Sequence, residues 1–338
     1  MVHGTLASRL ALAATVLALF VVVLGAYVRL SDAGLGCPDW PGCYGHFDVP
    51  KEDHHIARAN ALYPERPVEV PKAWKEMIHR YFAGALGLFI LGLAIVAWRR
   101  RQAPNQLVAL PFLLLGLVIF QALLGMWTVT LLLKPVVVMA HLLGGLTTLA
   151  LLWWLALRQG NYLSVTPVTE EVRPLRVWAL LGLLLVLGQV MLGGWTSANY
   201  AALACPDFPT CQTQWWPPMD FKEAFILWRG LGVSYEGGVL DNNARVAIHM
   251  MHRLGAVVVL AYLGWLVWRV LQTIHQPILR RTAMVVAMFL VIQISLGIAN
   301  VVLHLPLPVA VAHNGVAALL ILALVALNHE LRPRKTTI

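Results

Sequence analysis

Four histidines fall inside long apolar stretches of the 338-residue sequence: His79, His141, His252 and His313. An ionisable side chain within a membrane-spanning segment is costly and defaults to function. The second pair follows the first at offsets of 173 and 172 residues. By their place in the apolar stretches, all four belong at similar depth, near one face of the membrane. Two helices that each present one imidazole to a shared interior can hold a haem iron from both sides, and each pair can do so. A single such histidine is better explained by an interhelical hydrogen bond, but four in a twofold pattern point to ligands. Zinc or copper fits less well, because each pair offers two strong ligands where a closed zinc site takes four.

Glu76 is the carboxylate closest to these rings, three residues before His79 and on the same helical face. It could hydrogen-bond a reacting group or pass protons. An interfacial ion pair with Lys72 or Arg80 explains it equally well. Glu-x-x-His is also a di-iron pattern, but the second half has His249 at the position of Glu76, and too few carboxylates remain. The half that holds Glu76 is therefore the better candidate for chemistry, with His249 a polar neighbour. Arg80 and Arg253 follow two of the histidines and suit the propionates of a porphyrin. Gln121 and Gln293 are read as interhelical hydrogen-bonding residues. Trp40, Trp74, Trp195, Trp215 and Trp216 read as an interfacial belt. His46, His54 and His55 read as solvated loop residues, and no role is assigned to His3, His275, His304 or His329.

The elements that position these residues are membrane helices. The chain is 59% hydrophobic and 12% charged, with a mean hydropathy of +0.72. About 25% charge is usual for a soluble domain. An ordinary cytosolic enzyme, a disordered regulator and a nucleic-acid-binding domain are excluded. Eight stretches are long enough to cross a bilayer: 9–29, 76–98, 107–131, 136–157, 177–197, 245–268, 282–303 and 308–328. The first lacks a basic leader and a small-residue cleavage site, so it is read as a helix and not a signal peptide. One side of the membrane carries 13 basic and 3 acidic residues and the other 12 and 13; the balances of +10 and −1 account for the net +9. The basic side is cytoplasmic, with both termini on it, and the loops at about 30–75 and 198–244 face outward. The basic excess is thus a topology signal and needs no nucleic acid. Cys37, Cys43, Cys205 and Cys211 all lie in those outer loops, where disulfides form readily. A structural staple is the plain reading of each pair. A redox role for Cys37 and Cys43 stays open.

The chain repeats itself. Cys37-Pro-Asp-Trp-Pro-Gly-Cys43 matches Cys205-Pro-Asp-Phe-Pro-Thr-Cys211, and Gln121 and His141 match Gln293 and His313. The expected fold is an all-α integral membrane protein of two tandem four-helix bundles, 1–160 and 161–338. A pseudo-twofold axis along the membrane normal should relate them.

With these features in place, the sequence resembles the haem A synthases. The match rests on Gly34 to Cys43, on Glu76, His79 and Arg80, on His141, on His252 and Arg253, and on His313, set in eight spans. The resemblance implies oxidation of the C8 methyl of haem O to a formyl group, through an alcohol and a gem-diol. It implies that His79, His141 and Arg80 bind the substrate haem, and that His252, His313 and Arg253 hold a permanent haem b that relays electrons. It implies that Glu76 is the functional acid, that Cys37 with Cys43 and Cys205 with Cys211 are the outer-loop pairs, and that the product serves terminal oxidase assembly. Haem O synthase, an electron donor and membrane lipid are the expected partners, with homo-oligomerisation left open. No mitochondrial presequence is evident, so a bacterial inner membrane with periplasmic Cys loops is expected.

Two other readings compete. A di-haem cytochrome b acting on quinol shares the four histidines but usually sets its haems near opposite faces. A transporter built on the repeat predicts midplane polar residues and broken helices, of which the spans hold few.

Overall fold

The computed structural model describes residues 6–103, 106–160, 163 and 173–332. His3 lies outside the described residues, as do Glu170, Glu171, Arg334 and Lys335 and the side chain of Arg173, which are among the charges counted above. The described chain is all-helical, in the order α1 (Leu6–Leu30), α2 (Asp53–Leu62), α3 (Val70–Arg99), α4 (Ala109–Thr130), α5 (Pro135–Gln159), α6 (Arg173–Ala198), α7 (Phe221–Ala224), α8 (Asn242–Thr273), α9 (Pro277–Val302) and α10 (Leu307–Glu330). Eight of these are long and apolar enough to cross a bilayer, and they match the eight stretches expected, with 107–131 and 282–303 running one or two residues past the ends of α4 and α9. The protein is a multi-pass membrane protein. Large apolar side chains such as Leu88, Leu113 and Val257 remain exposed on the bundle, as lipid contact requires.

The helices start and stop for local reasons. Proline opens α3, α5, α9 and α10, at a position where its missing N–H costs nothing. Asp241 caps α8, its carboxylate accepting from the N–H of Ala244 at 2.8 Å. The tight links after α4 and α9 turn through left-handed residues, Leu132 and Leu133 in one and His304 and Leu305 in the other. In each link an N–H closes back onto a helical carbonyl, from Leu133 to Thr128 at 2.8 Å and from Leu305 to Asn300 at 2.7 Å. Asp32 and Tyr200, just past α1 and α6, are left-handed as well.

α1, α3, α4 and α5 pack in a ring, each against its neighbours, and α6, α8, α9 and α10 do the same. The rings meet where α10 touches α1 and α5 and where α5 touches α6. One apolar core, from Ala11 and Ile90 to Leu263 and Leu324, runs through both. Helices α2 and α7 lie in the two long loops, after α1 and after α6, and carry no spanning signal. The sequence reading ended the last span at 328, whereas α10 runs on to a buried Glu330 that accepts from the Thr282 hydroxyl at 2.9 Å.

Candidate functional site

His79, His141, His252 and His313 sit on α3, α5, α8 and α10, between six and ten residues from each helix start. At 1.5 Å per residue this is about 9–15 Å of helix. These four helices run in the same direction through the alternating bundle, so the rings share one end of it. His79 and His141 are close enough to act on each other electrostatically, as are His252 and His313. Each ring is half-buried.

Every one of the four rings lies against a glycine of the adjacent helix. A methyl placed on Gly25 of α1 would stand 3.0 Å from Cε1 of His79, and one on Gly125 of α4 would stand 3.4 Å from Cε1 of His141. Gly193 of α6 and Gly297 of α9 stand in the same relation to His252 and His313, at 3.1 and 3.2 Å. The absent side chain is what admits the imidazole. The glycines also follow the repeat, at offsets of 168 and 172. Sequence reading missed them because nothing local marks these four among the 26 glycines of the chain.

Glu76 is buried and doubly held: Arg80 donates to Oε1 at 2.5 Å, and the N–H of Cys37 donates to Oε2 at 3.0 Å. The pairing with Arg80 was one of the two sequence expectations, and the bond from Cys37 was not foreseen. It forms because the chain at Gly36 runs so close to α3 that a Cβ there would strike the backbone of Lys72 at 2.6 Å. Arg80 also donates to the carbonyls of Asp39 at 2.9 Å, Pro41 at 3.3 Å and Gly42. Arg253 grips the second Cys loop likewise, through the carbonyls of Cys205, Asp207, Pro209 and Thr210. Both guanidiniums, expected at propionates, therefore clasp the loops in this structure; Nε of Arg253 is buried without a partner.

The loops are built alike. Cys37–Cys43 and Cys205–Cys211 are disulfides, all four residues fully buried. Asp39 accepts from the N–H groups of Tyr44 and Gly45, and Asp207 from those of Gln212 and Thr213. The hydroxyl of Thr210, with these N–H groups, holds the Asp207 carboxyl below its ordinary range. Burial pushes the Tyr44 phenol up to about 12, and its O–H donates to the carbonyls of Arg66 and Pro67.

The remaining polar neighbours differ between halves. Gln189 of α6 donates to the carbonyl of His252 at 2.8 Å and lies 3.1 Å from Nδ1 of that ring. Its counterpart at the same offset is Val21. Gln293 lies 3.2 Å from Nε2 of His313, whereas Nε2 of Gln121 is buried without a hydrogen bond, contrary to expectation. His249, at the position of Glu76, is buried, and its Nδ1 lies 3.0 Å from the carbonyl of Ala201. Trp195 is not part of an interfacial belt: it is buried and donates to the carbonyl of Ala224 at 2.8 Å, while Trp215 and Trp216 are exposed. His46 and His54 are exposed as expected, with His54 paired to Glu52 at 3.4 Å.

The donor set can be tested against a porphyrin. All cysteine sulfur is held in disulfides, and each helical ring offers two half-buried imidazoles. Nδ1 of His79, His141 and His313 is buried without a partner. Two imidazoles suit the axial positions of haem iron and fall short of a closed zinc site.

These observations define a class, a multi-pass helical membrane protein with two pairs of intramembrane imidazoles seated against glycines and a buried carboxylate three residues before one of them. The chain belongs to the COX15-CtaA family, described as cytochrome oxidase assembly protein, whose pattern matches residues 8–325. It is 48% identical over 316 residues to a protein of Shewanella oneidensis named heme A synthase, covering 94% of each chain. It is 28% identical over 329 residues to the heme A synthase of Caulobacter vibrioides, covering 92% of each. With the heme A synthase of Rhizorhabdus wittichii it shares 26% identity over 348 residues, covering 95% of this chain and 93% of that one.

Proposed function

We propose that this chain does what its relatives are named for, converting haem O to haem A by oxidising the C8 methyl to a formyl group. Two successive oxygen insertions take the methyl through an alcohol to a gem-diol, which loses water. In this reading residues 1–160 and 161–338 form two bundles related by a pseudo-twofold axis along the membrane normal. The first holds the substrate through His79 and His141, and the second would hold a haem b through His252 and His313. Haem b held there would relay electrons from an external donor. Both termini are cytoplasmic, the Cys loops are periplasmic, and the membrane is a bacterial inner membrane. The product goes to cytochrome oxidase assembly, and haem O synthase supplies the substrate.

The observation that carries the division of labour is a buried carboxylate one helical turn before a site histidine, present in one half and absent at the matching position of the other. Glu76 stands in the first half, and His249 replaces it in the second. A carboxylate has about four lone-pair sites, and Arg80 and Cys37 leave some of them free. Glu76 carries a proton to and from the reacting edge of the substrate. Arg80 sets its orientation, and with Arg253 it supplies the positive charge that propionates need. The quinol-oxidising alternative needs haems near opposite faces, and the common depth of the four histidines speaks against it.

The test is a set of four single variants in a host that makes haem O. His252→Ala or His313→Ala should lose the stable haem. His79→Ala or His141→Ala should keep haem b and lose haem A. Haem A production by either of the latter would contradict the assignment.

A further inference from the structure

The second outer loop does not stay over its own half. Between α7 and α8 it crosses to the first half and is tied there at several points. The N–H of Tyr235 donates to the carbonyl of Leu132 at 3.0 Å, and Glu236 pairs with Arg66 at 3.3 Å. The buried Lys134 donates to the carbonyl of Gly230 and sets its ammonium 3.2 Å from the centre of the Trp228 ring. Tyr235 packs in one apolar cluster with Leu35, Val129 and Leu133, and Val233 adds to it.

Trp228 thereby forms a wall of an apolar groove of about 350 Å³. Leu124, Trp127 and Leu131 line one side, and Val136, Val137 and Ala140 the other. The groove lies between the same two helices and at the same level as His141: Ala140 precedes His141, and Leu124 precedes Gly125, against which His141 lies. The second half is not built to match. At the same offset Trp127 becomes Ala299, Lys134 becomes Pro306 and Val136 becomes Pro308. The wall residue and the lysine that anchors the crossing loop are both missing there.

Haem O and protohaem share the macrocycle and differ in one side chain, the farnesyl-bearing tail of haem O. We propose that this groove, walled by Trp228 from the second outer loop, receives that prenyl tail and so lets the first half select haem O over protohaem. The inference rests on the reading of the first half as the haem O site. An apolar chain needs an apolar wall and no polar partner, and the groove is lined by aliphatic and tryptophan side chains alone. The asymmetry between the halves falls where the two porphyrins differ.

The test titrates haem O and, separately, protohaem into the purified full-length protein with its second-half haem in place. The dissociation constant of each is measured for the wild type, Trp228→Ala, Trp127→Ala and Lys134→Met. The spectrum of the second-half haem reports that each variant is folded, and Trp228→Phe should restore most of the effect. Haem O binding should weaken roughly tenfold in each non-conservative variant, the loss expected for one large apolar contact. Protohaem binding should change less than about twofold. Wild-type preference for haem O that persists in all three variants would overturn the proposal and leave the groove to bilayer lipid. Equal weakening of both porphyrins would overturn it too. A wild type that takes up no second porphyrin would instead refute the reading of the first half, and this inference with it.

Discussion

Gly193→Ala places a methyl carbon 3.1 Å from Cε1 of His252. Carbon atoms pack best at about 3.5–4.0 Å, so the ring must retreat by roughly 0.4–0.9 Å. The ring has little freedom to do so, because the carbonyl of the same residue is held by Gln189. Overpacking of this kind costs about 1–3 kcal/mol. If that cost falls on the axial bond, haem affinity in the second half drops about 5- to 150-fold. The assay is the rate at which the purified protein yields its haem to a strong acceptor such as apomyoglobin, followed by absorbance. Gly188 lies on the same helix with open space where its Cβ would be, so Gly188→Ala is the control and should leave the rate unchanged. Gly25→Ala, at 3.0 Å from His79, should leave that haem in place and weaken haem O binding instead. An unchanged release rate in Gly193→Ala would refute the view that the glycines seat the rings.

Glu76→Ala should slow turnover by about 100-fold or more, the scale of a lost proton carrier, with a smaller effect on porphyrin binding. Glu76→Gln keeps an acceptor for the Cys37 N–H, and full turnover in that variant would make Glu76 structural. Gln189→Leu should shift the redox potential and spectrum of the second-half haem while leaving haem O affinity unchanged; the reverse pattern would contradict its placement. The Asp207 carboxyl is held below its ordinary value, so its contribution to the second Cys loop is complete above the unfolded carboxylate pKa of about 4. That contribution is lost as pH falls through the lower folded value. Thermal melts of wild type and Asp207→Asn should therefore diverge above about pH 4 and converge in stronger acid; parallel curves would contradict this.

The parts of the molecule that were legible in the sequence are those written locally or twice. Spans of apolar residues announce themselves by length, and His79, His141, His252 and His313 stand out because ionisable groups are rare inside them. The Cys loops show because the same seven-residue pattern occurs twice. The rest depends on which helix faces which. Gly25 and Gly84 look alike in the sequence, and only packing reveals that one meets His79 and the other meets open space. Gln189 is one polar residue in an apolar helix until α8 brings His252 to it. Arg80 and Arg253 follow histidines and so suggested propionates; their hold on carbonyls of the folded Cys loops, about 40 residues earlier in the chain, is a second role that no local pattern announces. The crossing of the long loop between α6 and α8 joins residues about 100 apart, and no periodicity encodes it.

The most direct test of the central claim, that two imidazole pairs hold two different porphyrins, is a pyridine haemochrome measurement on the purified protein. The protein should be made in two hosts, with and without haem O synthase. The account predicts about one protohaem per chain from both hosts. Haem O and haem A should appear in addition only when the synthase is present. A protein that carries no protohaem, or that shows no haem O or haem A when the substrate is supplied, would contradict it.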